Sequence, residues 1–373
     1  MSKDVWGYQP RPEREKPDWE INPQTAAVRE GLARSGFGET SEALYLTSGF
    51  TYTSAQEALD SFTDETDHFV YSRFHNPTIA MFEQRLAAIE GAEMCVATGS
   101  GMSAMFADAK NIEEFWTNIL QSKDSIKEVP ADRWLIEDYY DPDMFAEDKT
   151  YCKVGGFIPT IDFNPMEFGL PPNILEVTDA SQLLALVAAR DAFEDAGYGR
   201  KSEKFTAELK AKTGVVIGVG GGQKLITPLT GRLQYPVWEK ALRSSGIAEN
   251  DIPPIIEKMK KAYIGWNENS FPGMLGNVIS GRITNRFDLG GINSVVDAAC
   301  AASLSAMKMA LSELVEGRCD MMLTGGVDTD NSPFMYMSFS KTPAFSKSGK
   351  ITPFADDADG MLIGEGLGML VLK

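Results

Sequence analysis

Histidine is almost missing from this chain: its 373 residues include two, His68 and His75. Any chemistry placed downstream of residue 75 therefore has no imidazole of its own to serve as general base. Cysteine is scarce too. The four thiols, Cys95, Cys152, Cys300 and Cys319, form no CxxC and no Cys/His group, so their spacing indicates neither a zinc site nor a disulfide framework. Reduced thiols suit a cytoplasmic protein. Positive charge is outweighed, 35 Lys and Arg against 53 Asp and Glu, and the net charge of -18 argues against nucleic acid or an anionic membrane as partner. An acidic protein partner would have to dock on a local basic patch, such as Lys258, Lys260 and Lys261. No apolar run reaches membrane-spanning length, and residues 1–20 are charged, broken by Pro10, Pro12 and Pro17, and lack the apolar core of a signal peptide. No repeat and no low-complexity tract is visible.

What is present is a chain 43% hydrophobic, enough for a substantial core, with strand and helix patterns interleaved as in an α/β fold. Residues 78–90 keep a helical rhythm with Ile79, Phe82, Leu86 and Ile89, and Gly91 stops it. Residues 94–98 read as a short strand and 111–122 as an amphipathic helix, followed by acidic loops to about residue 172. Thr178 or Asp179 caps a helix expected to reach Asp195, with Gly197 as its stop. A buried strand is expected over 213–219, a charged helix over 251–261, a strand over 293–296, a helix over 300–316 and a strand over 321–327. Strand, helix, strand in that order is a parallel crossover unit. A last strand is expected over 368–372.

Cys300 is the candidate nucleophile. It sits in Val295-Val296-Asp297-Ala298-Ala299-Cys300-Ala301-Ala302-Ser303-Leu304, where an apolar strand meets an amphipathic helix. A thiol at a helix start feels the unsatisfied N–H groups and the positive end of the dipole, which favour its thiolate, and the flanking alanines leave room for a thioester. The plainer alternative is packing, because free cysteine is among the most buried residue types. Other motifs invite plain readings: Gly218–Gly222 lacks the spacing of a nucleotide-binding loop and reads as a turn, as does Gly364–Gly368. The Asp356, Asp357 and Asp359 cluster reads as a solvated loop and not as a metal site, and the methionines from Met307 to Met337 as core and subunit-interface packing.

Several motifs in one order identify a family. Val295–Leu304, Gly317-Arg318-Cys319-Asp320, Thr324-Gly325-Gly326-Val327 and the run from Phe354 through Asp359-Gly360-Met361 to Gly364-Glu365-Gly366 resemble the first half of a β-ketoacyl synthase. Glu268–Asn277 and Asp330–Tyr336 resemble, more narrowly, the ketosynthase of bacterial polyunsaturated fatty acid synthases and of polyketide synthases. The resemblance covers residues 102–373 and implies the N-terminal half of a thiolase-like fold, a decarboxylative condensation with no cofactor, and Cys300 as acceptor of the acyl group. It also implies an acyl carrier protein bearing acyl and malonyl thioesters as partner, a homodimer, and a Cys300 N–H that supplies one oxyanion donor. In that family two histidines and a lysine of the second half complete the site. Those residues are absent from this chain, so the chain alone is expected to be inactive in condensation.

The first hundred residues resemble something else. Tyr71-Ser72-Arg73, Asn76-Pro77-Thr78, residues 86–91 and Ala97–Met102 are similar to the N-terminal part of O-succinylhomoserine sulfhydrylase and cystathionine γ-synthase, pyridoxal-phosphate enzymes of aspartate aminotransferase-like fold. The resemblance runs over residues 12–105 and implies a division into a 1–101 fragment and a 102–373 synthase portion. It implies further that Tyr71, Arg73, Gly101 and Met102 descend from a cofactor phosphate site. The Schiff-base lysine of that family lies beyond this fragment, so these four are expected to be vestigial and pyridoxal phosphate to bind only if the leader were functional. A sulfur-transfer enzyme, or a non-catalytic fragment that dimerises or binds a carrier protein, are the rival readings. The two resemblances meet at Gly101-Met102-Ser103-Ala104-Met105, as at a crossover or an assembly join, and residues 94–98 would then stand in for the first strand of the synthase sheet.

Overall fold

A computed structural model of the chain describes residues 101–373, apart from 221, 222 and 354, together with Ser54, Gln56, Glu57 and Asp60. The chain divides into two compact units, Met1–Gly99 and Ser100–Lys373. In the first, the described positions show the Gln56 amide donating to Asp60 Oδ1 across one helical turn. The helix expected over 78–90, the strand over 94–98, both histidines, Cys95, Tyr71 and Arg73 lie outside the described residues.

The second unit is built on a five-stranded sheet. Its strands are β1 (Gly101–Met105), β4 (Thr213–Val219), β5 (Asn293–Val296), β6 (Met321–Asp328) and β7 (Gly366–Leu372), in the order β1-β7-β6-β4-β5. β4 is parallel to both β5 and β6, whereas β7 runs antiparallel to β6 and β1. β4 lies inside the sheet, between β5 and β6, and is buried along its whole length, which is why its sequence, Thr-Gly-Val-Val-Ile-Gly-Val, is apolar without alternation. A short hairpin, β2 (Ile126–Glu128) with β3 (Val154–Gly156), stands apart from this sheet.

Labelled helices are α1 (Ile112–Leu120), α2 (Ala180–Asp195), α3 (Tyr235–Ser244), α4 (Ile252–Lys260), α5 (Val278–Phe287), α6 (Ala302–Val315) and α7 (Pro333–Lys341). α2 begins where the Asp179 carboxylate accepts from Ser181 N–H at 2.9 Å, and Gly197, at φ 77°, follows its last turn in the left-handed region that glycine tolerates. α2 and α5 cover one face of the sheet. Their Leu186, Ala189, Phe193, Ile279 and Ile283 pack with Val215, Ile217 and Val219 of β4 in the main core. α6 packs against β4, β5 and β6 on the other face, with Ala306 and Ala310 fully buried.

A second apolar cluster gathers Trp134, Phe157, Tyr336, Phe345, Leu362 and Ile363 around the hairpin. The acidic stretch read from sequence as loops therefore contains the hairpin and part of a core. Tyr336 is wholly buried, donates to Val154 O at 3.0 Å and meets Trp134 edge to face, so burial holds its phenol above the usual tyrosine range. No helix among the described residues is long and apolar enough to cross a membrane.

Candidate active site

The parallel strands β4, β5 and β6 end on one edge of the sheet, where open α/β folds place their ligands. Cys300 lies on that edge. After β5 the Asp297 carboxylate accepts from Ala299 N–H at 3.0 Å, and Ala299 adopts φ 48°, a left-handed conformation that costs a non-glycine residue of order 1 kcal/mol. A 3-10 turn, Ala299–Ala301, carries the cysteine, and α6 starts at Ala302. The expected helix start at residue 300 is thus displaced by two positions: the thiol sits in the turn that feeds the helix. No side chain caps α6; the 3-10 turn leads straight into it, the Ala301 N–H donating to Ala298 O at 3.1 Å and the Ala302 N–H to Ala299 O.

Two glycines let this turn approach the sheet. A Cβ on Gly218 of β4 would lie 2.5 Å from the Ala302 carbonyl carbon and from Ser303 N, and one on Gly326 of β6 would lie 2.8 Å from Ser303 Cβ. Gly218, Gly326 and Val296 are in register across three strands, so the helix start is seated on a level floor. Gly218 and Gly220 of the glycine-rich motif accordingly serve as support: Gly218 is the last residue but one of β4, and Gly220 faces Ala299 O at ordinary contact distance, while residues 221 and 222 lie outside the described residues.

Of the three described cysteines, Cys300 is exposed whereas Cys152 and Cys319 are buried. Burial pushes the Cys152 thiol up, away from its nucleophilic form. Neither histidine falls among the described residues, and no ionisable side chain is hydrogen-bonded to Cys300 there.

The same edge carries an acidic group of residues that the sequence reading does not single out. Glu365, preceding β7, accepts from Arg133 Nε at 2.8 Å, from Arg133 Nη2 at 2.9 Å and from Ile158 N–H at 3.0 Å. Its charge raises the Arg133 guanidinium further above an already basic value. Asp328, at the end of β6, reaches solvent, yet the atoms crowded round it and the nearby Asp330 and Glu365 charges push its carboxyl up to about 6. Solvent contact tempers that displacement. Asp330, itself buried, is raised for the same reason. A cavity of about 400 Å³ opens beside this group on the α2 face, lined by Arg133, Phe163, Leu183, Leu184, Lys224 and Glu365. Arg133 and Glu365 are 232 positions apart, and nothing in the spacing of either announces the pair.

The remaining site candidates separate. Gly101 and Met102 lie in β1, paired with β7, and not at a helix start. Among the described residues no group of three His, Cys, Asp or Glu side chains could hold a metal ion. Asp359 is engaged locally, accepting from Ser348 N–H at 2.8 Å. Lys258 and Lys261 are exposed, while Lys260 pairs with Glu257 at 3.0 Å and lies over the Tyr235 ring.

Cys300 is thus an exposed thiol in a tight turn between a parallel strand and a helix seated on glycines. Residues 100–373 match the family model described as beta-ketoacyl synthase, N-terminal domain. The chain belongs to the β-ketoacyl synthase family. Residues 24–125 match a second model, Cys/Met metabolism PLP-dependent enzyme, so the leader is a fragment of that family's kind, and the two matches overlap over 100–125. One component of the polyunsaturated fatty acid synthase of Thraustochytrium sp. is 46% identical over 273 residues, which are 73% of this chain and 10% of that protein. Polyketide synthase PksN of Bacillus subtilis is 36% identical over 276 residues, 73% of this chain and 4% of that protein. The chain thus spans a tenth or less of the length of these relatives.

Solved ketosynthases share the fold. The oxazolomycin ketosynthase domain OzmH KS7 of Streptomyces albus aligns with a TM-score of 0.59 at 26% identity, over 74% of this chain and 42% of that one. A ketosynthase from module 6 of the bacillaene synthase of Bacillus subtilis aligns with a TM-score of 0.56 at 28% identity, over 74% of this chain and 40% of that one. The fold of the synthase portion is therefore thiolase-like.

Proposed function

We propose that Cys300 accepts the acyl group in a synthase of the polyunsaturated fatty acid or polyketide type. The observation that carries this reading is the exposure of that thiol on the C-terminal edge of the sheet, beside an uncapped helix start, while Cys152 and Cys319 are buried. The Cys300 sulfur attacks the thioester carbonyl of an acyl carrier protein. The tetrahedral oxyanion is received by the Cys300 N–H, at the positive end of α6. Collapse expels the carrier thiolate, which takes up the proton given up by Cys300, and leaves the acyl group as a thioester on the cysteine.

Condensation asks for more. Decarboxylation of a malonyl unit in this family uses imidazoles, and both histidines of this chain lie upstream of the residues that match the synthase family. The chain alone is therefore an acyl acceptor without decarboxylase activity. The exposed Lys258 and Lys261 are the docking charges for an acidic carrier, and β5, at the sheet edge with one side unpaired among the described residues, is the segment along which a second copy would pair. Free thiols accord with the cytoplasm as its compartment.

Two measurements test this. In the native chain, iodoacetamide should alkylate Cys300 at least about tenfold faster than Cys152 or Cys319, because burial restricts access to the latter two; equal rates for all three would contradict the assignment. Incubation with carrier protein loaded with carboxyl-labelled malonate should release no labelled carbon dioxide, and release above background would refute the claim that decarboxylation needs groups outside this chain.

A further inference from the structure

Residues 100–125 are claimed by two families at once, and the fold they adopt decides between them. A phosphate cradle needs free backbone N–H groups at the positive end of a helix. The segment Gly101–Met105 has neither. It is extended and pairs antiparallel with β7 from Gly101↔Val371 to Met105↔Leu367. The Met102 N–H, which points away from that partner strand, donates to the Asp195 carboxylate at 2.9 Å, so an anion already occupies the donor that a phosphate would require.

The electrostatic setting is reversed as well. Gly101 packs on the last turn of α2, where a Cβ would clash with Ala196 N and lie 2.6 Å from Ala192 O. That is the carbonyl end of a 16-residue helix, the negative end of its dipole, with Glu194 and Asp195 in the same turn. A phosphate dianion placed there would face carbonyl oxygens and carboxylates. Burial anchors the strand in this position: Met105 is 1% exposed and Ala104 7%. Lifting β1 into a helix start would return both to water and leave one side of β7 unpaired.

We infer that the synthase sheet has taken over the segment that its leader's family uses to hold a cofactor phosphate, so that this chain binds no pyridoxal phosphate through Gly101 and Met102. Strand pairing and cofactor binding are alternative uses of one stretch of backbone, and the core contacts of β1 settle the choice for the sheet. The inference is independent of whether Cys300 carries an acyl group.

The test uses the full chain and pyridoxine 5′-phosphate, which has the cofactor's phosphate but no aldehyde and so cannot form adducts with surface lysines. Equilibrium dialysis to millimolar ligand should show no saturable binding. Hydrogen exchange should find the peptides covering 101–105 and 366–372 equally protected with and without the compound. Saturable binding that weakens in Arg73→Ala, or loss of protection in those peptides on adding the compound, would overturn the inference. Asp195→Asn should still fail to bind, because the pairing and the helix end remain; binding gained by that variant would show that one carboxylate alone kept the phosphate out, and would equally overturn it.

Discussion

Gly218→Ala probes the seat of the nucleophile with a single methyl group. Gly218 has no unusual φ, so the penalty is one of space alone. Its Cβ would stand 2.5 Å from the Ala302 carbonyl carbon and Ser303 N and 2.6 Å from Ala302 O, all backbone atoms of α6 that no rotamer change can move. To restore ordinary contact at 3.4 Å, helix and strand must part by about 0.9 Å. Overpacking of this kind costs about 1–3 kcal/mol. At roughly 2–4 °C per kcal/mol for a unit of this size, the melting temperature should fall by about 2–12 °C. The same retreat moves the Cys300 turn, and a displacement near 1 Å can reduce a positioned reaction by about 100-fold. Acyl transfer to Cys300 should therefore suffer more than its alkylation by a small, freely diffusing reagent. Gly281→Ala is the matched control: Gly281 lies inside α5 with nothing within 4 Å of its Cβ position apart from its own helix, so the same change should stabilise by about 0.5–1 kcal/mol. Differential scanning calorimetry and the acylation rate, measured on both variants, check the reasoning. A Gly218→Ala protein with unchanged melting temperature and unchanged acylation would refute it.

Other perturbations act on the acidic edge. Glu365→Gln should destabilise the fold by about 3 kcal/mol in urea titrations, because it removes the buried charge partner of Arg133 and leaves it only the more exposed Asp132 at 3.4 Å; the Arg133 side chain is 23% exposed and that of Glu365 3%. Stability should also depend on pH through Asp328. Its carboxyl titrates near 3.8 when unfolded and is pushed up to about 6 in the fold, so the folded state binds the extra proton. The contribution is present below about pH 4 and is lost as pH rises through about 6. Denaturant midpoints measured from pH 4 to pH 7 should fall along this limb, and Asp328→Asn should flatten it; a variant with the parent's slope would assign the effect elsewhere.

Much of this fold is legible in the sequence, and the reasons differ by element. The bounds of β4 and β5 are legible because a continuous apolar run between turn residues has few other uses, and those of α2 because Asp179 and Gly197 mark its ends. β6 and β7 each extend one or two residues beyond the expected bounds, through Asp328 and from Gly366, since pairing between the strands admits a carboxylate and a glycine that propensity disfavours. α5 and α7 are not legible. α7 carries Ser338, Ser340 and aromatic residues that blur its period, and its helix is held by the second core, whose members are scattered from Val129 to Ile363. The β2–β3 hairpin is hidden for the same reason, being only three residues long in each strand. Cys300 is legible through its alanine-rich surroundings, but not its position in a 3-10 turn ahead of the helix, which depends on the left-handed Ala299. The Gly101–Met105 segment shows the limit most clearly: two families fit its sequence, and only its pairing with β7 tells a strand from a phosphate-binding turn.

The central claim is that Cys300 is the acyl acceptor, and the most direct measurement is mass spectrometry of the chain after incubation with an acylated carrier protein at neutral pH. The account predicts one acyl group per chain, located on the peptide containing Cys300, released by hydroxylamine and absent from Cys300→Ala. Acylation at Cys152 or Cys319, or equal acylation of the Cys300→Ala variant, would contradict it.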